Sequence, residues 1–216
     1  MIHTNTISRK CLKVVRIGSN IRDMKALLGL IGLLAAALSG AQFGGMGMDM
    51  MYGPMATLQR PEIRKELKVS KDQVKQLDEI VKNLTKASES GNIQINSLSK
   101  VDADMMAVLD EVQKQRYFEL SIQIRGAIAL TEPLVVEKLG LNVDQAASAK
   151  KIRKATQDKV LDAARKGSRD SKLMENASKA LEKELTALLT DDQKKAFTEL
   201  AGVIFKGARM KGVWPI

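Results

Sequence analysis

Histidine and cysteine are almost missing from the chain. Its 216 residues include one of each, His3 and Cys11. Both lie within residues 1–41, which read below as a signal segment, and the chain without them cannot assemble a Ser–His or Cys–His nucleophile pair. Zinc-ligand spacing and disulfides are excluded for the same reason. No Gly-rich phosphate-binding loop is present. Strand-forming composition is also lacking: aromatics are 3% of the chain, and no stretch alternates apolar and polar residues as a strand would. Carboxylate pairs such as Asp102/Asp104 and Asp191/Asp192 exist, but their expected setting is a solvated loop or a helix N-terminus, where the dipole favours acids. These absences argue against an enzyme and imply no cofactor.

Half of the net positive charge lies in the first segment. The chain carries 35 Lys/Arg against 25 Asp/Glu, a formal +10. Residues 1–41 hold six of those bases and one acid, leaving 29 against 24, or +5, for the remainder. Met24-Lys25, the uncharged run Ala26 to Leu38 and the small residues Ser39-Gly40-Ala41 have the order of a secretory signal peptide. The run is shorter than the ~20 residues of a membrane span, so no stable span is expected after cleavage, and export to the periplasm is. Residues 1–23 read as a long basic n-region or as a mis-assigned upstream start. The remaining excess of bases is scattered over helix faces, without the stripe expected of a nucleic-acid-binding protein.

What is present is a repeated phrase. An apolar residue precedes Ser70, Asp110, Asn142 and Thr190, and each is followed three residues later by Gln, at Gln73, Gln113, Gln145 and Gln193. A Ser/Thr/Asp/Asn N-cap with Gln at the third helical position is a reciprocal capping box, so each copy predicts a helix start. The copies come in two sets. LQRPEIRKELKV (58–69) aligns with LTEPLVVEKLGL (130–141), and LDEVQKQRYFEL (109–120) aligns with LTDDQKKAFTEL (189–200). The chain therefore contains an internal duplication of a short helix, a long helix and further helix. The predicted fold is all-α, built of antiparallel helical hairpins.

The order of segments follows. Residues 42–57 (QFGGMGMDMMYGPMAT) show no period and read as a flexible leader. Its Met46, Met48, Met50, Met51 and Met55 are soft thioethers that suit Cu(I) in a weak site. The first repeat spans 58–129 and the second 130–206, followed by a basic tail, 207–216. Helical spacing places Leu77, Ile80, Val81 and Leu84 on one inner face, and Ile95, Leu98, Val101, Met105 and Val108 on another. Val112, Tyr117, Leu120 and Ile124 form the next. Gly126 to Thr131 reads as a joint between halves, and Gly140 as a helix C-cap. The long helix after Asn142 shows a thin stripe, Ala149, Ile152, Ala155 and Val160, with Lys150, Lys151, Arg153, Lys154 and Lys159 on its outer face. Leu173, Ala177, Leu181, Leu185 and Leu188 make the next stripe, and Phe197, Leu200, Val203 and Ile204 the last.

With these residues in view, the chain resembles the Spy/CpxP group of periplasmic LTxxQ proteins. LTDDQKKAFTELAGVIF (189–205) holds the strict form of the motif. Together with QKQRYFELSIQIRG (113–126) and LTEPLVVEKLGLNVDQ (130–145), it is also similar to duplicated Spy-like exported proteins. The similarity covers roughly residues 58–206. The other three copies carry Ser70, Asp110 and Asn142 in place of Thr, and Val69 in place of Leu. These changes keep the capping chemistry. The resemblance implies a periplasmic, hairpin-built protein and, in some members, chaperone activity or metal-stress sensing. Metal-sensing relatives use His or carboxylates, and only His3 is present here. Three classes of function remain. The first is an ATP-independent chaperone or client-binding scaffold, with Lys150, Arg153 and Lys154 as client-binding residues. The second is a regulatory or structural envelope module that binds a partner, with room for a homodimer. The third is Cu(I) handling by the five Met residues.

Overall fold

Helix begins where the capping boxes put it. The computed structural model describes residues 52–90, 95–166 and 171–208. Among them are nine α-helices, one 3-10 helix and no strand. They run α1 (Pro54–Thr57), α2 (Pro61–Glu66), α3 (Lys71–Glu89), α4 (Ile95–Ala107) and α5 (Glu111–Arg125). A 3-10 helix (Gly126–Thr131) follows, then α6 (Pro133–Lys138), α7 (Val143–Arg165), α8 (Ser171–Ala187) and α9 (Asp191–Leu200). The protein is all-α. Short α2 and α6 both open on Pro at the first helical position, where the missing N–H costs nothing. Gln73, at the start of α3, bonds the carbonyl of Val108 just past the end of α4, and Gln145 bonds that of Leu188 just past α8. Each long helix therefore lies antiparallel to the next.

The duplication appears as two cores. Leu58, Ile63, Leu67, Leu77, Met105 and Leu120 centre the first. Leu130, Val135, Leu139, Ala149, Leu181 and Leu185 centre the second. The segment expected to be a joint, Gly126 to Thr131, is instead wholly buried. It packs against α5, α6, α7 and α8 and forms the middle of the second core. Its six residues are nearly all apolar, and the segment is too short for a helical period to reveal which face is inner.

Both short helices end in a Schellman motif, and here the halves differ. The amides of Gly140 and Leu141 bond the carbonyls of Glu137 and Val136, and those of Lys68 and Val69 bond Lys65 and Arg64. The residue at C′ is left-handed in each, Gly140 at φ 58° and Lys68 at φ 53°. Glycine adopts this conformation without penalty, whereas a residue with a Cβ is strained by ~1–2 kcal/mol. Lys68 is exposed, so little else is lost by removing it. Lys68→Gly is expected to raise stability by about 0.5–1 kcal/mol after the entropy of the unfolded glycine is subtracted. A denaturant midpoint that stays put would show that the Lys68 backbone is unstrained.

The leader is shorter than the composition suggests. Tyr52 is 6% and Thr57 1% exposed, and Tyr52 belongs to the first core. The backbone N–H of Met55 donates to Asp102 Oδ1 at 2.8 Å. The Thr57 hydroxyl donates to Gly53 O at 2.9 Å and lies 2.7 Å from the Tyr117 hydroxyl. Residues 52–57 are thus part of the fold, held by partners on α4 and α5 that no local pattern reveals. Residues 1–51, including the segment expected to be a signal, fall outside the described residues.

Other expectations also need correction, among them Leu173, expected on an inner stripe of α8 but 37% exposed. Val112 is 80% exposed, because the inward register of α5 is 113, 117, 120 and 124, and Gln113 takes its first place. Ala155 is exposed, and the inner side of α7 carries Gln157 instead. The last helix stops at Leu200, since Gly202 turns left-handed at φ 62°. Val203 and Ile204 beyond it are 77% and 65% exposed. The tail does not begin at 207 either. The Gln123 amide nitrogen donates to Ala201 O and Val203 O at 2.6 and 2.9 Å, and its oxygen accepts from Phe205 N at 2.9 Å. Arg60 donates to the carbonyls of Gly207 and Ala208. These bonds return residues 201–208 to the first core, where Ala208 is buried and Phe205 packs.

Candidate functional site

All four capping boxes form. Ser70, Asp110, Asn142 and Thr190 each accept from the backbone N–H of their Gln at 2.8–3.2 Å, and each Gln Oε1 accepts from the cap's own N–H at 2.9–3.0 Å. With each oxygen committed to a backbone donor, the amide orientation is fixed, and every Nε2 points away from its own helix.

The four boxes then join as two clasps. Gln73 Nε2 donates to Gln113 Oε1 at 2.7 Å, and Gln113 Nε2 donates back to Gln73 Oε1 at 3.1 Å. Gln145 and Gln193 make the same reciprocal pair at 2.8 and 3.3 Å. Each Nε2 also reaches a carbonyl two residues before its partner's cap. Gln73 bonds Val108 O and Gln113 bonds Lys68 O, while Gln145 bonds Leu188 O and Gln193 bonds Gly140 O. Each clasp is thus a two-fold arrangement that ties two helix starts together. The first is buried, with Gln113 8% exposed. The second is more open.

A capping box alone would accept Glu at the third position as readily as Gln. A carboxylate could cap but could not donate to the facing helix. The presence of Gln at all four positions, while the cap itself varies, is the signal from which the pairing could have been read. The residues of the repeated phrase therefore hold the architecture. They are engaged with one another and not turned toward a ligand.

The polar interior of the first half is a second feature that sequence reasoning missed. Tyr117, Thr57 and Asp102 lie together, with the Arg125 guanidinium close by and ion-paired to Glu132. Burial pushes the Tyr117 phenol up to about 12. Burial also raises Asp102, against the opposing pull of the Met55 N–H and Arg125. Tyr117 sits inside the packing of the first core, and Asp102 lies half-buried on α4 beside it.

The cationic residues assigned to α7 divide. Lys150 and Lys154 are exposed, and Lys154 pairs with Asp158 at 3.0 Å. Arg153 departs from expectation: it is half-buried and donates to Thr131 Oγ1 at 3.0 Å. Its stem is partly covered while the guanidinium finds a polar partner at the end of the 3-10 helix, as such side chains do. Of the Met residues, Met55 packs on the first core, so it is not free to join a metal site. Met46, Met48, Met50 and Met51 fall outside the described residues. Among the described residues no three His, Cys, Asp or Glu side chains gather around a metal-sized space.

One open groove adjoins the basic helix. It encloses about 320 Å³ and runs between α6, the 3-10 helix and the start of α7. Pro133, Val136, Leu141 and Ala146 give it an apolar lining, and Glu137 and Lys150 stand at its edges. The fold and this surface define an all-α protein of two clasped helical repeats with a groove in the second. No family model, curated protein or solved structure matches the chain.

Proposed function

We propose that this chain is an exported, non-enzymatic holding protein of the Spy type, a periplasmic ATP-independent chaperone or client-binding scaffold. The observation that supports it best is the groove on the second repeat, an apolar concavity beside the exposed Lys150, Lys151, Lys154 and Lys159 of α7. Unfolded chains expose apolar side chains and carboxylates together. A surface that offers a cationic helix beside a modest apolar hollow attracts them by charge and then retains them by burial. Such binding is weakened by salt, since screening acts over ~8 Å at physiological strength. Among the described residues no helix is long and apolar enough to cross a membrane.

The test is suppression of aggregation of a chemically denatured client at low and at high salt. Suppression is expected at low molar excess and is expected to fade as salt rises. Charge reversal of Lys150, Lys151 and Lys154 should reduce it with the melting curve unchanged; Arg153 is left intact because it anchors the 3-10 helix. Absence of suppression at several-fold molar excess would replace this function with that of an envelope module dedicated to one folded partner.

A further inference from the structure

The two repeats differ at the groove in a way that identifies what it takes. In the first repeat, Arg64 of α2 crosses the corresponding space. Its Nη2 meets Asp78 Oδ1 of α3 at 2.8 Å, and its Nε donates to Leu58 O. The aligned positions of the second repeat are Val136 for Arg64, Lys150 for Asp78 and Ala146 for Val74. The bridging guanidinium has become a short apolar side chain, and its acid partner has become a cation. A valine has likewise been cut back to alanine. The first and third changes empty the space and the second removes the acid that would hold a plug, and the result is the open groove lined by Val136, Ala146 and Lys150. Among the described residues neither the Lys150 nor the Glu137 side chain has an ion-pair partner.

We propose that this groove is a binding site for a carboxylate-bearing apolar segment of a client polypeptide, and that the first repeat is the same site closed by its own Arg64–Asp78 plug. The proposal rests on the holding function above and assigns it to one place. The segment supplies the anion that Lys150 lacks, and a neighbouring Leu- or Met-sized side chain covers Val136, Leu141 and Ala146. Lys151 and Lys154 on the same helix keep the approach cationic. Glu137 at the far edge turns away a second acid, so the favoured segment carries a single Asp or Glu among apolar residues. Burying a carboxylate against one ammonium at a half-open rim gives a charge-assisted contact without full desolvation of either ion.

The experiment uses the full chain and a short peptide with one Glu between Leu and Met residues, labelled with an uncharged fluorophore and followed by anisotropy. The Gln version of the peptide is expected to bind roughly tenfold more weakly, the loss that one charge-assisted bond gives. Val136→Arg with Lys150→Asp, which transplants the plug, should weaken the Glu peptide by about tenfold or more. Arg64→Val with Asp78→Lys should open a second equivalent site, doubling the stoichiometry. If the plugged variant proves unstable, Lys150→Gln alone makes the same comparison, since that side chain is exposed. Equal binding of the Glu and Gln peptides, or full affinity in the plugged or Lys150→Gln protein, would overturn the site. Aggregation suppression that survives plugging would overturn it while leaving the holding function standing. Peptide binding that follows every expectation in a chain that suppresses no aggregation would do the reverse.

Discussion

Gln113→Ala is expected to cost about 3 kcal/mol, more than any loss of a cap residue, which is typically ~1 kcal/mol. The amide of Gln113 accepts from Asp110 N and Gln73 Nε2 and donates to Leu67 O, Lys68 O and Gln73 Oε1. Removing it strands the Asp110 N–H and half of the Gln73 amide in a part-buried site. Each stranded group costs ~1–3 kcal/mol, with partial relief where water can enter. The corresponding Gln193→Ala should cost about half as much, because its longest bond, to Gly140 O at 3.4 Å, lies in an exposed setting and solvent can replace it. Gln113→Glu separates the two duties of the residue. The carboxylate can still cap Asp110 but cannot donate to Gln73, Leu67 or Lys68, and it brings a charge into a buried site, so it too should destabilise. Denaturant midpoints of Gln73→Ala, Gln113→Ala and the double variant form a cycle, and a coupling of ~1–2 kcal/mol is expected for residues in one network. Additive losses would mean that each glutamine serves only its own helix.

The helix starts were legible because capping is local: a side chain, its backbone neighbour and a spacing of three residues. The clasp was not read because it joins boxes that lie 40 and 48 residues apart, and a spacing within one box says nothing of its partner. The duplication did expose the architecture, since the same apolar positions recur around Pro61 and Pro133. Where sequence reasoning failed, the decisive partner was distant. Gly53, Pro54 and Met55 have a loop-like composition, and only Asp102 and Tyr117 make an ordered segment of them. Arg153 reads as a surface charge until Thr131 is placed beside it. Val203 and Ile204 continue an apolar pattern that Gly202 has already ended. The groove was hidden for a related reason. Val136 counts as one more apolar residue until it is aligned with Arg64, and its meaning lies in what the other repeat puts there.

Tyr117 gives the first core an alkaline limit. Its phenol is buried and its ionisation is raised from 10.0 to about 12. The Thr57 hydroxyl has one proton, and that proton serves Gly53 O, so Tyr117 is the donor in the 2.7 Å bond between them and loses it on ionising. A group whose ionisation is raised on folding stabilises the native state fully below its unfolded value, and that stability is lost as pH rises through the folded value. The window here is therefore pH 10 to 12, and the loss across it is about 3 kcal/mol, at ~1.4 kcal/mol for each pH unit of the window. Between pH 7 and 9 the same group contributes no slope. Tyr117→Phe removes the titrating proton together with the bond to Thr57. It should cost ~1 kcal/mol at neutral pH and should flatten the alkaline fall relative to the parent chain. The measurement is the difference in denaturant midpoint between the two proteins at steps from pH 8 to 12, which cancels the titration of the surface lysines common to both. A difference that stays constant across the range would show that the phenol meets solvent in the folded protein, and that α1 does not seal the first core.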